Sequence, residues 1–146
     1  MITLLENTDA ISYVLDDDRR ILLHVVNCQG VMGSGIALQV KNRLPDAHAH
    51  YMEAFARGDL QLGTISGSAS GSCANLAAQD TYGREKRQLN YGALSKCLSN
   101  LGEAEPWVEV VVPYLMGCDR AGGDWEIVSE ILEFHCGEIT VCKFGG

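Results

Sequence analysis

The stretch Ile21-Leu22-Leu23-His24-Val25-Val26-Asn27-Cys28-Gln29-Gly30-Val31-Met32-Gly33-Ser34-Gly35-Ile36-Ala37 decides how the chain is read. Its opening run, 21–27, is almost continuously apolar, the pattern of a strand buried on both faces. Gly30, Gly33 and Gly35 break the run, and beyond them Ile36, Val40 and Leu44 recur at helical spacing until Pro45 stops the pattern. A buried strand that enters a helix through a glycine loop is the repeating unit of a parallel α/β sheet.

Outward from this unit the alternation continues. Apolar stretches at 2–5 and around 11–15 precede the polar turn Asp16-Asp17-Asp18-Arg19-Arg20. Downstream, a helix is predicted from about 46 to 57, with Tyr51, Ala54 and Phe55 on one face and Gly58 at its end. Strands at 64–68 and 73–78 are joined by a Gly/Ser turn as a hairpin, and Tyr91, Leu94, Leu98 and Leu101 give a helix over 90–101. A strand at 108–112 leads into a second glycine loop containing Gly117, Gly122 and Gly123. Asp124 then stands at an N-cap position, Trp125, Val128, Ile131 and Leu132 line a helix, and 139–144 is the last strand. The order is strand, glycine loop, helix, twice over. It predicts one α/β domain over 1–146, with a mixed sheet between helices and a ligand site off the carboxyl ends of the strands.

Composition narrows the partners. Eleven Lys and Arg against 19 Asp and Glu give a formal charge of -8 over 146 residues, which excludes a broad basic field for nucleic acid or an anionic membrane. An anion must therefore be held locally. No apolar run is long enough for a membrane span and no secretion or lipidation signal is present, so a cytoplasmic location is expected. The six cysteines show no zinc spacing and read as reduced thiols, and neither a metal nor a cofactor is expected. Sixteen glycines against three prolines are the skew that needs a reason.

The two glycine loops supply it. Each joins a strand to a helix N-terminus, where unpaired N–H groups and close backbone approach make a phosphate cradle. Neither loop is Gly-x-Gly-x-x-Gly or a Gly-Lys-Ser/Thr loop, which disfavours a dinucleotide site and a nucleotide triphosphatase. Two sets of backbone donors converging on one diphosphate is the arrangement predicted.

These residues also carry a resemblance. Val26-Asn27-Cys28-Gln29-Gly30-Val31-Met32-Gly33-Ser34-Gly35-Ile36-Ala37 resembles the first ligand loop of macro domains, and Gly117-Cys118 with Ala121-Gly122-Gly123-Asp124-Trp125-Glu126 resembles the second. The chain looks most like the branch holding yeast-type ADP-ribose 1''-phosphate phosphatases and small phage or bacterial relatives. The resemblance covers nearly the whole chain and implies a three-layer α/β/α fold with a cleft for ADP-ribose or an ADP-ribose derivative. It also implies roles. Asn27 would hydrogen-bond the distal ribose. Gly30, Val31, Met32, Gly33, Ser34, Gly35 and Ile36 would wrap the diphosphate, and Gly117, Cys118, Asp119, Arg120, Ala121, Gly122 and Gly123 would close over it. Asp9, in Asn7-Thr8-Asp9, stands nearest to the acidic residue that relatives use for adenine. Asp119-Arg120 replaces a Gly-Leu pair of the relatives, and either meets substrate at the mouth of the site or forms an ion pair in solvent. One subgroup of de-ADP-ribosylases uses a lysine and a second-loop aspartate. Gln79 and Ala121 fall at those positions here, which disfavours that lysine-dependent mechanism and leaves Lys86 as the alternative lysine.

Hydrolysis needs a positioned water, a base and donors for developing charge. Asp124 is the first candidate base, with N-cap duty as its alternative role. His24, on the strand leading to Asn27, is the second, with a hydrogen-bonded core histidine as its alternative. Cys28 and Cys118 lack cationic neighbours and read as packing, and His48 and His50 are spaced so that they cannot share a metal on one helix face. The function expected is release of phosphate from ADP-ribose 1''-phosphate. The alternatives are a non-catalytic ADP-ribose reader and a hydrolase that removes ADP-ribose from a modified protein or nucleic acid.

Overall fold

Strands and helices alternate along the chain as β1 (Ile2–Glu6), α1 (Ala10–Leu15), β2 (Arg20–Asn27), α2 (Gly35–Arg43), α3 (Pro45–Arg57), β3 (Ile65–Gly67), β4 (Cys73–Gln79), α4 (Tyr91–Leu101), β5 (Glu109–Pro113), α5 (Trp125–Cys136) and β6 (Ile139–Lys143). The structure is a computed structural model that describes residues 1–68, 70–82, 86–118 and 121–144. The strands form one sheet in the order β1-β6-β5-β2-β4-β3. Neighbours are parallel except β3, which pairs antiparallel with β4 as the outer arm of the hairpin.

Each face of the sheet carries its own core, which makes three layers. Leu22, Val26 and Val111 pack with Ile11 and Val14 of α1, Val40 of α2 and Ala47, Tyr51 and Ala54 of α3. Leu23, Val110 and Val112 pack on the other side with Leu94 and Leu98 of α4 and Val128 and Leu132 of α5. Successive residues of β2 thus enter opposite cores, which explains why its sequence lacks polar alternation.

Local chemistry sets the element ends. Asp9 caps α1 by accepting from the N–H groups of Ile11 and Ser12 at 3.0 and 3.2 Å, and Asn90 caps α4 through Ala93 N at 2.9 Å. Gly58 ends α3 at φ 77°, a left-handed conformation that favours glycine. The apolar stretch around 11–15 is the helix α1, whose buried Ile11 and Val14 lie one turn apart. Phe55 departs from the expected buried face: it is 44% exposed and its ring lies against Gly30 of the first loop. The last strand stops at Lys143, leaving Phe144 exposed beyond it.

β2 and β5 are sheet neighbours, yet the chain leaves β2 towards α2 on one face and leaves β5 towards α5 on the other. The two connections diverge and open a crevice above the carboxyl ends of the two strands.

Candidate ligand cleft

A cleft of about 470 Å³ fills that crevice, within the roughly 300–1,000 Å³ of ordinary ligand sites. Val25 and Val26 lie beneath it. Asn27, Val31 and the turn 33–37 form one wall, residues 113–117 with Ala121 form the facing wall, and Gln79 and Tyr82 border it from the end of β4.

The first wall is built around Asn27. The β2–β4 register shifts there, from Val26 opposite Ala77 to Asn27 opposite Gln79, so the strand ends in a bulge. Asn27 Oδ1 accepts from Gln29 N at 3.0 Å and Val31 N at 3.4 Å, while Nδ2 donates to Val31 O at 2.8 Å. The asparagine side chain therefore folds the loop, and one Nδ2 hydrogen remains for a ligand. The loop then delivers the N-terminus of α2 to the cleft. Ser34 is the N-cap, but its hydroxyl makes no cap bond and the first turn holds no acidic residue. The first-turn N–H groups of Gly35, Ile36 and Ala37 have no intrahelical acceptor, and all three residues line the cleft. Lys41 and Arg43 occupy the last turn, so the charge order along α2 leaves its amino end unneutralised and ready for an anion.

In the second wall two of the predicted donors are engaged within the loop. Gly123 N donates to Gly117 O at 2.9 Å and Cys118 N to Leu115 O at 2.8 Å, so these N–H groups are taken up inside the loop. Ala121 O accepts from Gln88 N and Leu89 N, tying the loop to the segment before α4. Packing explains the glycines: a Cβ on Gly123 would collide with Leu89 and come within 2.7 Å of Gly117 O, and Gly117 itself has φ 74°. Among the described residues of the second loop, Gly117 and Gly123 serve close packing.

Of the predicted ligand residues, Asn27, Val31, Gly33, Ser34, Gly35, Ile36, Gly117 and Ala121 line the cleft. The others do not. Gly30 sits under Phe55, Met32 is buried in the core beside α1–α3, and Gly122 and Gly123 pack behind the loop against Arg87 and Leu89. Cys118 is half-buried with its Sγ on Met116 O, and burial with nearby Asp124 pushes its thiol up to about 11. Asp9 stands at the start of α1, where one carboxylate oxygen caps the helix and the other pairs with Arg43 at 2.7 Å. Asp119 and Arg120 lie outside the described residues.

Neither candidate base is among the described lining residues of the cleft. His24 is completely buried, with Nε2 2.6 Å from Asn75 Oδ1 on the neighbouring strand, and burial lowers its pKa to about 4. A side chain sealed in the core beneath α3 has no route to water in the cleft. Asp124 is exposed, caps α5 through Glu126 N at 2.9 Å and is absent from the cleft wall. Among the described cleft residues there is no Asp, Glu, His, Lys, Arg or Cys side chain, and Tyr82 and Tyr114 are the titratable groups present. The cleft residues the sequence reading missed are Val25, Val26, Ala37 and the β5 exit, Pro113, Tyr114, Leu115 and Met116, where Tyr114 meets Trp125 edge-on at 5.6 Å. Their signal was position alone, since the carboxyl end of a central strand is where such sheets bind ligands.

Comparison with solved structures decides the architecture. The macrodomain of Mycobacterium tuberculosis DarG superposes with a TM-score of 0.65 at 26% identity, covering 100% of this chain and 99% of that one. The fold is that of a macro domain. Thermosipho africanus DarTG in complex with ADP-ribose also contains it, with a TM-score of 0.67 at 17% identity, over 99% of this chain and 41% of that one. In sequence, the chain is 46% identical over 52 residues to a Mycobacterium tuberculosis protein named DNA ADP-ribosyl glycohydrolase. That match spans 36% of this chain and 15% of the relative. No family model matches the chain.

Proposed function

We propose that this macro domain binds ADP-ribose in the cleft and hydrolyses the bond between C1'' of its distal ribose and a macromolecular acceptor, with modified DNA the first substrate to test. The observation that carries binding is the uncapped amino end of α2 opening into the cleft, where it meets a diphosphate with N–H donors and the positive end of a helix. The preference for glycosidic hydrolysis over phosphate release rests on the likeness to proteins named DNA ADP-ribosyl glycohydrolase. In this reaction the oxygen of water joins C1'', the bond from C1'' to the acceptor atom breaks, and the acceptor takes the proton. The chain's own part is positioning: the α2 turn fixes the diphosphate, the free Asn27 Nδ2 hydrogen orients the distal ribose, and Gly117 and Ala121 close the far side. Such orientation accounts for a large share of catalysis even without a dedicated base.

The lack of acid or base side chains among the described cleft residues favours one second reading, a binder that holds ADP-ribose without turning it over. Three assays on the same preparation separate these readings. An ADP-ribosylated oligonucleotide should yield free ADP-ribose, seen by chromatography, while ADP-ribose 1''-phosphate should yield no phosphate above background. Micromolar ADP-ribose binding by calorimetry with no product from either substrate would leave the binder.

A further inference from the structure

We infer that Tyr51, which lies outside the cleft, is the positioning residue of the ligand loop, its hydroxyl setting the shape in which Asn27 and Val31 face the ligand. The inference rests on the ADP-ribose reading above for its binding consequence, and on geometry for the rest. Tyr51 projects from α3 and is fully buried. Its Oη lies 2.7 Å from Asn27 O, 2.9 Å from Asn27 Oδ1 and 3.1 Å from Val31 N. A phenol has one proton and two lone pairs. Here the proton goes to Asn27 and a lone pair accepts the Val31 N–H, so the hydroxyl closes the ring that Asn27 begins with its own bonds to Gln29 N and Val31 O. Burial pushes the phenol up to about 12, and it stays a donor at any working pH.

The helix behind this hydroxyl is held at three levels along one face. One turn before Tyr51, Ala47 O accepts from Asn75 Nδ2 at 3.0 Å, pinning α3 to β4. One turn after it, Phe55 covers Gly30, where a Cβ would stand 2.9 Å from the ring and the φ of 77° favours glycine. The spacing i, i+4, i+8 puts these contacts on one side of a helix. α3 therefore backs the loop 27–31 from outside while the loop faces ligand from inside, and Tyr51 is the polar member of that support. Removing its oxygen takes the donor from Asn27 O and leaves the Val31 N–H only the longer 3.4 Å bond to Asn27 Oδ1, and the loop relaxes from the geometry that aims the α2 turn.

Tyr51→Phe keeps the ring and deletes the oxygen. The dissociation constant for ADP-ribose, measured calorimetrically well below the melting temperature, is expected to rise about tenfold. A double-mutant cycle with Asn27→Ala tests the route: in the Asn27→Ala background the same change should cost less than about threefold, because the side-chain half of the ring that the hydroxyl closes is already gone. Independent, multiplying losses overturn the inference. Amide hydrogen exchange supplies a readout independent of ligand and of the variant's yield. In the wild type the Val31 amide should exchange as slowly as those of β2 although it lies in a rim loop, and Tyr51→Phe should speed Val31 by at least about tenfold while β2 is unchanged. Rapid Val31 exchange in the wild type, or uniform acceleration in the variant, overturns it. If the wild type binds no ADP-ribose, the proposed function fails, and the Val31 exchange still decides whether Tyr51 holds the loop.

Discussion

Asp124 accepts the N–H of Glu126 and starts α5, and a side chain so engaged at the surface is a helix cap before it is a base. Asparagine caps as well as aspartate but cannot take a proton. Asp124→Asn should therefore keep both the melting temperature and the rate of ADP-ribose release, whereas Asp124→Ala should lose about 1 kcal/mol of stability with the rate intact. A hundredfold slower Asp124→Asn at full stability would restore Asp124 as the base. His24 governs a different observable. Its Nε2 hydrogen goes to Asn75 Oδ1, and Nδ1 is buried with no partner among the described residues. Burial lowers the folded-state pKa from 6.5 to about 4, so the unfolded chain binds a proton that the folded one refuses. The histidine's contribution is at its maximum above the unfolded value, and stability falls as pH drops from 6.5 through 4, by on the order of 3 kcal/mol. Urea midpoints measured across that window should fall less steeply in His24→Gln, and parallel curves for the two proteins would refute the assignment.

At the scale of elements, the two glycine loops solve different problems. In the first, glycines clear space in front of a helix terminus: a Cβ on Gly33 would meet nothing closer than Val31 Cγ1 at 3.5 Å. Gly33→Ala should consequently leave stability unchanged, while Gly33→Glu, which sets a carboxylate in the cleft against the diphosphate, should abolish ADP-ribose binding without unfolding the chain. Calorimetry and thermal melts on the pair check both halves. In the second loop, glycine permits the chain to touch itself. Gly123→Ala presses a methyl against Leu89 and the Gly117 carbonyl and should cost about 1–3 kcal/mol, with binding falling alongside stability. Binding lost in Gly123→Ala at wild-type stability would mean that the second loop donates to the ligand directly.

For the molecule as a whole, the charge of -8 leaves the proposed substrate, an ADP-ribosylated nucleic acid, to be held through its ADP-ribose group. Recognition through the ADP-ribose group alone predicts a weak salt dependence: affinity for an ADP-ribosylated oligonucleotide should change less than about threefold between 50 and 200 mM salt, against the 10³–10⁵ of proteins that make 6–10 phosphate contacts. Unmodified oligonucleotide in large excess should not compete, and fluorescence anisotropy with a labelled substrate measures both. What the sequence determined by itself was the layered α/β order, the two glycine loops between strand and helix, and the helix cap at Asp124. These are local properties, set by side-chain period, by glycine's backbone freedom and by hydrogen bonds over two or three residues. Only the tertiary structure decided that Asp9 turns to Arg43, that His24 turns to Asn75 across 51 positions of chain, and that a hydroxyl 24 positions away shapes the loop at Asn27. A polar side chain takes whichever partner the fold brings within about 3 Å, and that proximity is set by packing between elements rather than by neighbours in sequence.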